Sequence, residues 1–165
     1  MPPAEHAAAS ARVEAALEKL LGERPPQTIG AYWPTRGEID LRALMERLRA
    51  RGWATALPAL VGPGQPMQYV RWDAASAMDS GAYDISVPRE RDVVHPTVVL
   101  APLVAFDGSN YRLGYGGGYF DITLAALQPR PEAIGVGFEQ ARLATIYPLG
   151  TDIPMDRIVT EESRV

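Results

Sequence analysis

A chain of 165 residues that is 47% hydrophobic has enough apolar surface for one buried core, and its length is near that of an ordinary single domain. It has no cysteine and two histidines, His6 and His95, which excludes disulfides, thiolate clusters and most zinc sites and leaves oxygen-bound ions such as magnesium. A net charge of −4, no apolar stretch of membrane-spanning length and a start, MPPAEHAAASA, unlike a signal peptide together predict a cytoplasmic protein with neither nucleic-acid nor membrane partners.

Between Ser10 and Gly22, Val13, Ala16, Leu17, Leu20 and Leu21 recur at helical spacing, predicting a helix capped by the serine and stopped by the glycine. TIGAYW (28–33) reads as a short strand and PTRGEID (34–40) as a polar loop. Leu41, Leu44, Met45 and Leu48 mark a second helix, capped by Asp40 and ended by Gly52. WATALPAL (53–60) predicts another strand, GPGQP (62–66) a turn, and the alternating MQYVRW (67–72) an antiparallel or edge strand. Residues 73–96 have no firm period and are expected to form a long loop. TVVLAPLVAF (97–106) is a continuous apolar run, the pattern of a central strand covered on both faces. After a glycine-rich segment come a helix from about Tyr119 to Leu127, the strand IGVGF (134–138), a short helix near Gln140 to Ile146, the loop PLGTDIPMD (148–156) and a last strand RIVT (157–160).

Strands alternating with helices predict an α/β fold with a mostly parallel sheet wrapped by helices. Ligands of such sheets collect beyond the carboxyl ends of the strands. Four polar segments are expected to meet there: Pro34 to Asp40, the glycine segment, Glu139 with Gln140, and Asp152 to Asp156.

The segment RLGYGGGYFD (112–121) has the most to say about chemistry. Its glycines permit positive φ and let a ligand approach main-chain N–H groups, and a helix opening near Gly118 would add free N–H groups and partial positive charge. Arg112 adds a fork suited to phosphate oxygens, and Asp121 either caps the helix or holds magnesium. The segment has neither the Gly-Lys-Ser/Thr of a Walker loop nor the placement of a dinucleotide fingerprint. It is either a phosphate cradle or a mobile turn, and the flanking arginine and aspartate favour the cradle. Tyr119 and Phe120 are expected to face the core, whereas Tyr115, between glycines, is set to stack on a flat ligand.

PLVAFDGSNYRLGYGGGYFD, with YWPTRGEID upstream, YVRW in the middle, and IGVGFEQ and DIPMDRIVTEE near the end, resembles the 5-formyltetrahydrofolate cyclo-ligase (methenyltetrahydrofolate synthetase) family from Ile29 to Glu162. The resemblance implies a three-layer α/β/α sandwich. It also implies an enzyme that uses ATP and Mg2+ to convert 5-formyltetrahydrofolate to 5,10-methenyltetrahydrofolate, releasing ADP and phosphate. Carried over by residue, Arg112, Leu113, Gly114, Tyr115, Gly116, Gly117, Gly118, Tyr119 and Phe120 match the ATP-binding segment. Tyr115 also faces the folate; Trp33 and Glu38 match substrate contacts, Glu38 on the pterin side; Asp121 and Asp156 match magnesium-linked aspartates. The residues alone leave Glu38 open between a pterin acceptor and a solvated loop acid, and make Asp156 an ordinary loop aspartate.

The family usually begins with a further helix whose lysine and arginines reach ATP, and this sequence is expected to be a single domain, 1–165, without it. DISVP (84–88) stands where the family has a GIPEP-like stretch, Ile122 replaces an arginine, and Thr151 replaces a histidine. Two expectations follow: an active cyclo-ligase, with Arg36 or Arg142 standing in for missing cations, or a non-catalytic folate- or nucleotide-binding relative.

Overall fold

The computed structural model describes residues 1–114 and 118–164. Helix α1 spans Pro3–Gly22 and so begins well before Ser10. Pro3 occupies the first helical position, where its missing N–H has no partner to lose, and the alanine-rich turns after it favour helix. Strand β1 (Thr28–Gly30) is shorter than its apolar run. In α2 (Arg42–Ala50), Asp40 stands just before the first turn and its Oδ1 accepts the Arg42 N–H at 3.0 Å. Gly52 follows the helix with φ of +95°, a conformation that glycine adopts without strain. Strands β2 (Ala54–Ala59) and β3 (Gln68–Arg71) pair antiparallel, as the alternation of MQYVRW predicted.

Residues 73–96 are not one loop. They contain β4 (Met78–Ser80) and β5 (Ser86–Pro88), an antiparallel pair, and β6 (Val93–Val94), which pairs with β3 at the edge of the main sheet. Strands this short show no readable period. The apolar run 97–106 is likewise divided. Strand β7 (Val98–Pro102) ends at a proline that cannot donate to a ladder. The chain then leaves the main sheet to form β8 (Ala105–Asp107), which pairs antiparallel with β9 (Arg112–Leu113). Helix α3 (Tyr119–Ala126) and β10 (Glu132–Val136) follow. The helix expected near Gln140 to Ile146 is a single 3-10 turn, Glu139–Ala141, and then β11 (Arg142–Leu143), which joins β8; β12 (Arg157–Val159) closes the chain.

The main sheet has seven strands in the order β12-β10-β7-β1-β2-β3-β6. Its first five are parallel, with Ile134 beside Leu100 and Ile29 beside both Val98 and Thr55. One face is covered by α1 and α2, through Val13, Leu17, Leu21, Leu44, Met45 and Leu48 against Ile29, Leu57, Leu100 and Ile134. The other is covered by α3, where Leu124 packs on Ala101, Ala133 and Met155. Each fully buried leucine contributes about 1.5–3 kcal/mol of apolar transfer, so this periodicity is what sets the layers. The result is an α/β/α sandwich around a largely parallel sheet. Among the described residues no helix is long and apolar enough to cross a membrane.

Candidate active site

The carboxyl ends of β1 and β7 are where the sheet delivers its functional side chains. Pro102, the last residue of β7, presents its carbonyl oxygen to Arg112, whose Nε and Nη2 donate to it at 3.2 and 2.9 Å. The guanidinium lies 4.8 Å from the centre of the Phe120 ring. It is thus held by a backbone oxygen and an aromatic face, and among the described residues its remaining N–H groups make no further hydrogen bond. Among the described residues no carboxylate closes to ion-pair distance on it. Burial pulls its pKa down, opposed by Asp121, Glu38 and Tyr69; a guanidinium stays charged through such a shift.

A buried aspartate absent from the sequence-based candidates sets the position of Arg112. Asp107 is 4% exposed. Its Oδ1 accepts N–H groups of Ser109 and Tyr111 at 3.0 and 3.2 Å, and its Oδ2 that of Ile146 at 3.3 Å. These bonds fold the Gly108–Tyr111 turn back so that β9 begins with Arg112 beneath Pro102. The Asp-Gly pair in FDGSN was the available signal.

Gly114 passes so near the guanidinium that a Cβ there would lie 2.7 Å from Arg112 Nη2. Gly118 enters α3 in the left-handed conformation, φ +63°, and among the described residues no side chain caps the helix start. Leu113 is exposed and pairs with Ala105; Tyr119 is half-buried, and its carbonyl accepts the Thr123 hydroxyl. Phe120 packs toward the core as expected. Tyr115, Gly116 and Gly117 lie outside the described residues.

Glu38 reaches the same region from the loop after β1. Its Oε1 accepts the Thr35 N–H at 2.8 Å and the Thr35 hydroxyl at 3.1 Å. Burial raises its pKa, against the lowering pull of those bonds, Arg112 and Arg36. Trp33 is half-buried, its ring 6.2 Å from that of Trp72 and 4.7 Å from the Arg42 guanidinium. The His6 ring, another position absent from the candidates, hydrogen-bonds the Gly37 carbonyl through Nε2 and meets Phe138 edge-on, so the start of α1 braces this loop.

The two aspartates have different surroundings. Asp121, in the first turn of α3, accepts the Ile153 N–H at 2.9 Å and acts electrostatically on Arg112. Asp156 is exposed, and its Oδ2 accepts the Ala133 N–H at 2.7 Å, in the amino half of β10. Of the four polar segments, the 34–40 loop and the glycine segment therefore meet around Arg112, whereas the 152–156 stretch reaches the start of α3 only through Ile153 on Asp121 and carries Asp156 to the amino end of β10. Glu139 is tied instead to Thr160, Arg142 and the Glu161 carboxylate. Arg142 is committed to Glu139 and to the Phe106 ring.

A largely parallel sheet that gathers a buried guanidinium, a carboxylate and aromatic rings beyond the carboxyl ends of its strands defines the class of an α/β enzyme acting on small molecules. The chain matches the model of the 5-formyltetrahydrofolate cyclo-ligase family over residues 1–161 and belongs to that family. It is 29% identical over 141 residues to the 5-formyltetrahydrofolate cyclo-ligase of Escherichia coli strain K12, covering 81% of this chain and 77% of that one. It is 25% identical over 168 residues to a probable 5-formyltetrahydrofolate cyclo-ligase of Caenorhabditis elegans, covering 91% and 82%. Its fold is similar to the 5,10-methenyltetrahydrofolate synthetase of Aquifex aeolicus, with a TM-score of 0.84, 27% identity and coverage of 99% and 83%. The corresponding Mycoplasma pneumoniae structure, at 21% identity and a TM-score of 0.80, shares the fold over 98% and 90%.

Proposed function

We propose that this chain is a cytoplasmic enzyme that closes 5-formyltetrahydrofolate to 5,10-methenyltetrahydrofolate at the expense of ATP, releasing ADP and phosphate. The observation that carries the reading is Arg112: a guanidinium fixed by Pro102 and Phe120, with N–H groups that have no other partner among the described residues, close to the start of α3 at Gly118. That is an arrangement for phosphoryl oxygens.

An amide oxygen is a poor leaving group until it is phosphorylated. In the proposed reaction the formyl oxygen takes the γ-phosphoryl group, ADP departs, the second folate nitrogen attacks the formyl carbon, and phosphate leaves with that oxygen. The protein's part is alignment and charge neutralisation. Arg112 and the N–H groups from Leu113 to Phe120 hold the triphosphate. Glu38, poised by Thr35, accepts N–H groups of the pterin. Trp33 forms an apolar substrate contact, and Tyr115, in the ATP-binding segment, also contacts the folate.

Magnesium, when bound, neutralises phosphate charge. Among the described residues no group of three or more acidic or histidine side chains could hold a metal ion. A magnesium ion shared with phosphates needs only one or two carboxylates, so the residues fit an ion carried in with the nucleotide. Asp121 suits that ion through its place beside Arg112; Asp156, the other aspartate the resemblance links to magnesium, already serves the Ala133 amide.

The test is to mix purified protein with 5-formyltetrahydrofolate, ATP and magnesium and follow the absorbance of the methenyl bridge. Product should form only when ATP is present. No product above a control without enzyme would reject the assignment.

A further inference from the structure

Tyr69 is 2% exposed, and its hydroxyl has no hydrogen-bond partner among the described residues. Leaving a buried hydroxyl unpaired is costly, and phenylalanine would fill the same space without the cost. The sheet nevertheless makes room for this side chain. Tyr69 belongs to β3, but its ring crosses Ala56 of β2 and lies on Gly30 of β1, where a Cβ would come within 2.6 Å of the ring. Small residues on two successive strands thus let the phenol reach the carboxyl end of β1. There it packs with Phe120, the same ring that carries the Arg112 guanidinium. The phenol and the guanidinium influence each other electrostatically, and burial keeps the hydroxyl protonated and able to donate.

We propose that the Tyr69 hydroxyl donates a hydrogen bond to the phosphoryl oxygen that Arg112 receives, making Tyr69 a second, uncharged nucleotide-binding residue at the carboxyl end of β1. The inference rests on the reading of Arg112 as a phosphate ligand. It accounts for three features together: the unpaired hydroxyl, the missing side chain at Gly30 and the shared Phe120 wall.

The experiment compares wild type, Tyr69→Phe and Arg112→Gln by calorimetric titration with a non-hydrolysable ATP analogue plus magnesium, by titration with 5-formyltetrahydrofolate, and by thermal melting without ligand. Tyr69→Phe should bind the analogue about tenfold more weakly, bind the folate as before, and melt at the same or a higher temperature. Normal analogue binding by Tyr69→Phe, with weakened binding by Arg112→Gln, would overturn the role of Tyr69 and leave the phosphate reading standing. Normal binding by Arg112→Gln would remove both. A melting point several degrees lower for Tyr69→Phe, or a loss confined to the folate, would also overturn the proposal, because the hydroxyl would then have a partner within the protein or at another ligand.

Discussion

Replacing Gly30 with alanine tests the packing beneath the site. The added Cβ would lie 2.6 Å from Tyr69 Cε1, 2.8 Å from Cδ1 and 3.1 Å from Cζ. Contacts that short do not survive, and the obstacle is a rigid ring walled in by Ala56, Val99 and Phe120. Overpacking of this kind costs about 1–3 kcal/mol, which for a chain of this size lowers the melting temperature by roughly 2–12 °C. The cost should depend on the ring, so Gly30→Ala should be nearly neutral when introduced into Tyr69→Leu. A four-way thermal-melting cycle over the two sites reads the coupling directly. Equal losses from Gly30→Ala in both backgrounds would refute the claim that Gly30 exists to seat Tyr69.

Asp107→Ala should cost about 2–3 kcal/mol in urea denaturation, the range for a carboxylate serving several amides, and should weaken nucleotide binding by releasing the turn before Arg112. Burial raises the pKa of Glu38, so its favourable contribution is complete below its unfolded pKa and is lost as pH rises through the higher folded value. Glu38→Gln should therefore raise stability at neutral pH, measured by melting across pH, while reducing turnover of 5-formyltetrahydrofolate. Glu132 has the opposite sign. Its hydrogen bond to Arg24, 2.6 Å at the shortest, lowers its pKa, so the contribution is present above the unfolded value and lost as pH falls through the folded one. Glu132→Gln should cost about 1 kcal/mol at pH 7, with the difference from wild type disappearing in strong acid.

Patterns that run long enough to declare a period were legible in the sequence. The apolar stripes of α1 and α2 and the alternation of MQYVRW gave the correct elements because burial of one face dictates their spacing. Residues 78–94 were opaque because their strands are two or three residues long. The division of TVVLAPLVAF at Pro102 was hidden because both halves are apolar; the change of sheet depends on pairing with β9 and β11, which local composition does not encode. At the site, Arg112 and the glycines stood out through the chemistry of one contiguous segment. Asp107 and Tyr69 did not, since an acid in a turn and a tyrosine in a strand are ordinary residues until distant partners reveal their use. Gly30 belongs with them: its role is a close approach from another strand, which only the packed sheet displays.

The measurement that bears most directly on the account is the KM for ATP of wild type and Arg112→Gln in the methenyl-forming assay. Loss of a charge-assisted contact worth about 1.5–3 kcal/mol predicts an increase of roughly 10- to 150-fold, with the melting temperature of the free protein little changed. An unchanged KM in a folded variant would contradict the assignment of Arg112 to the triphosphate.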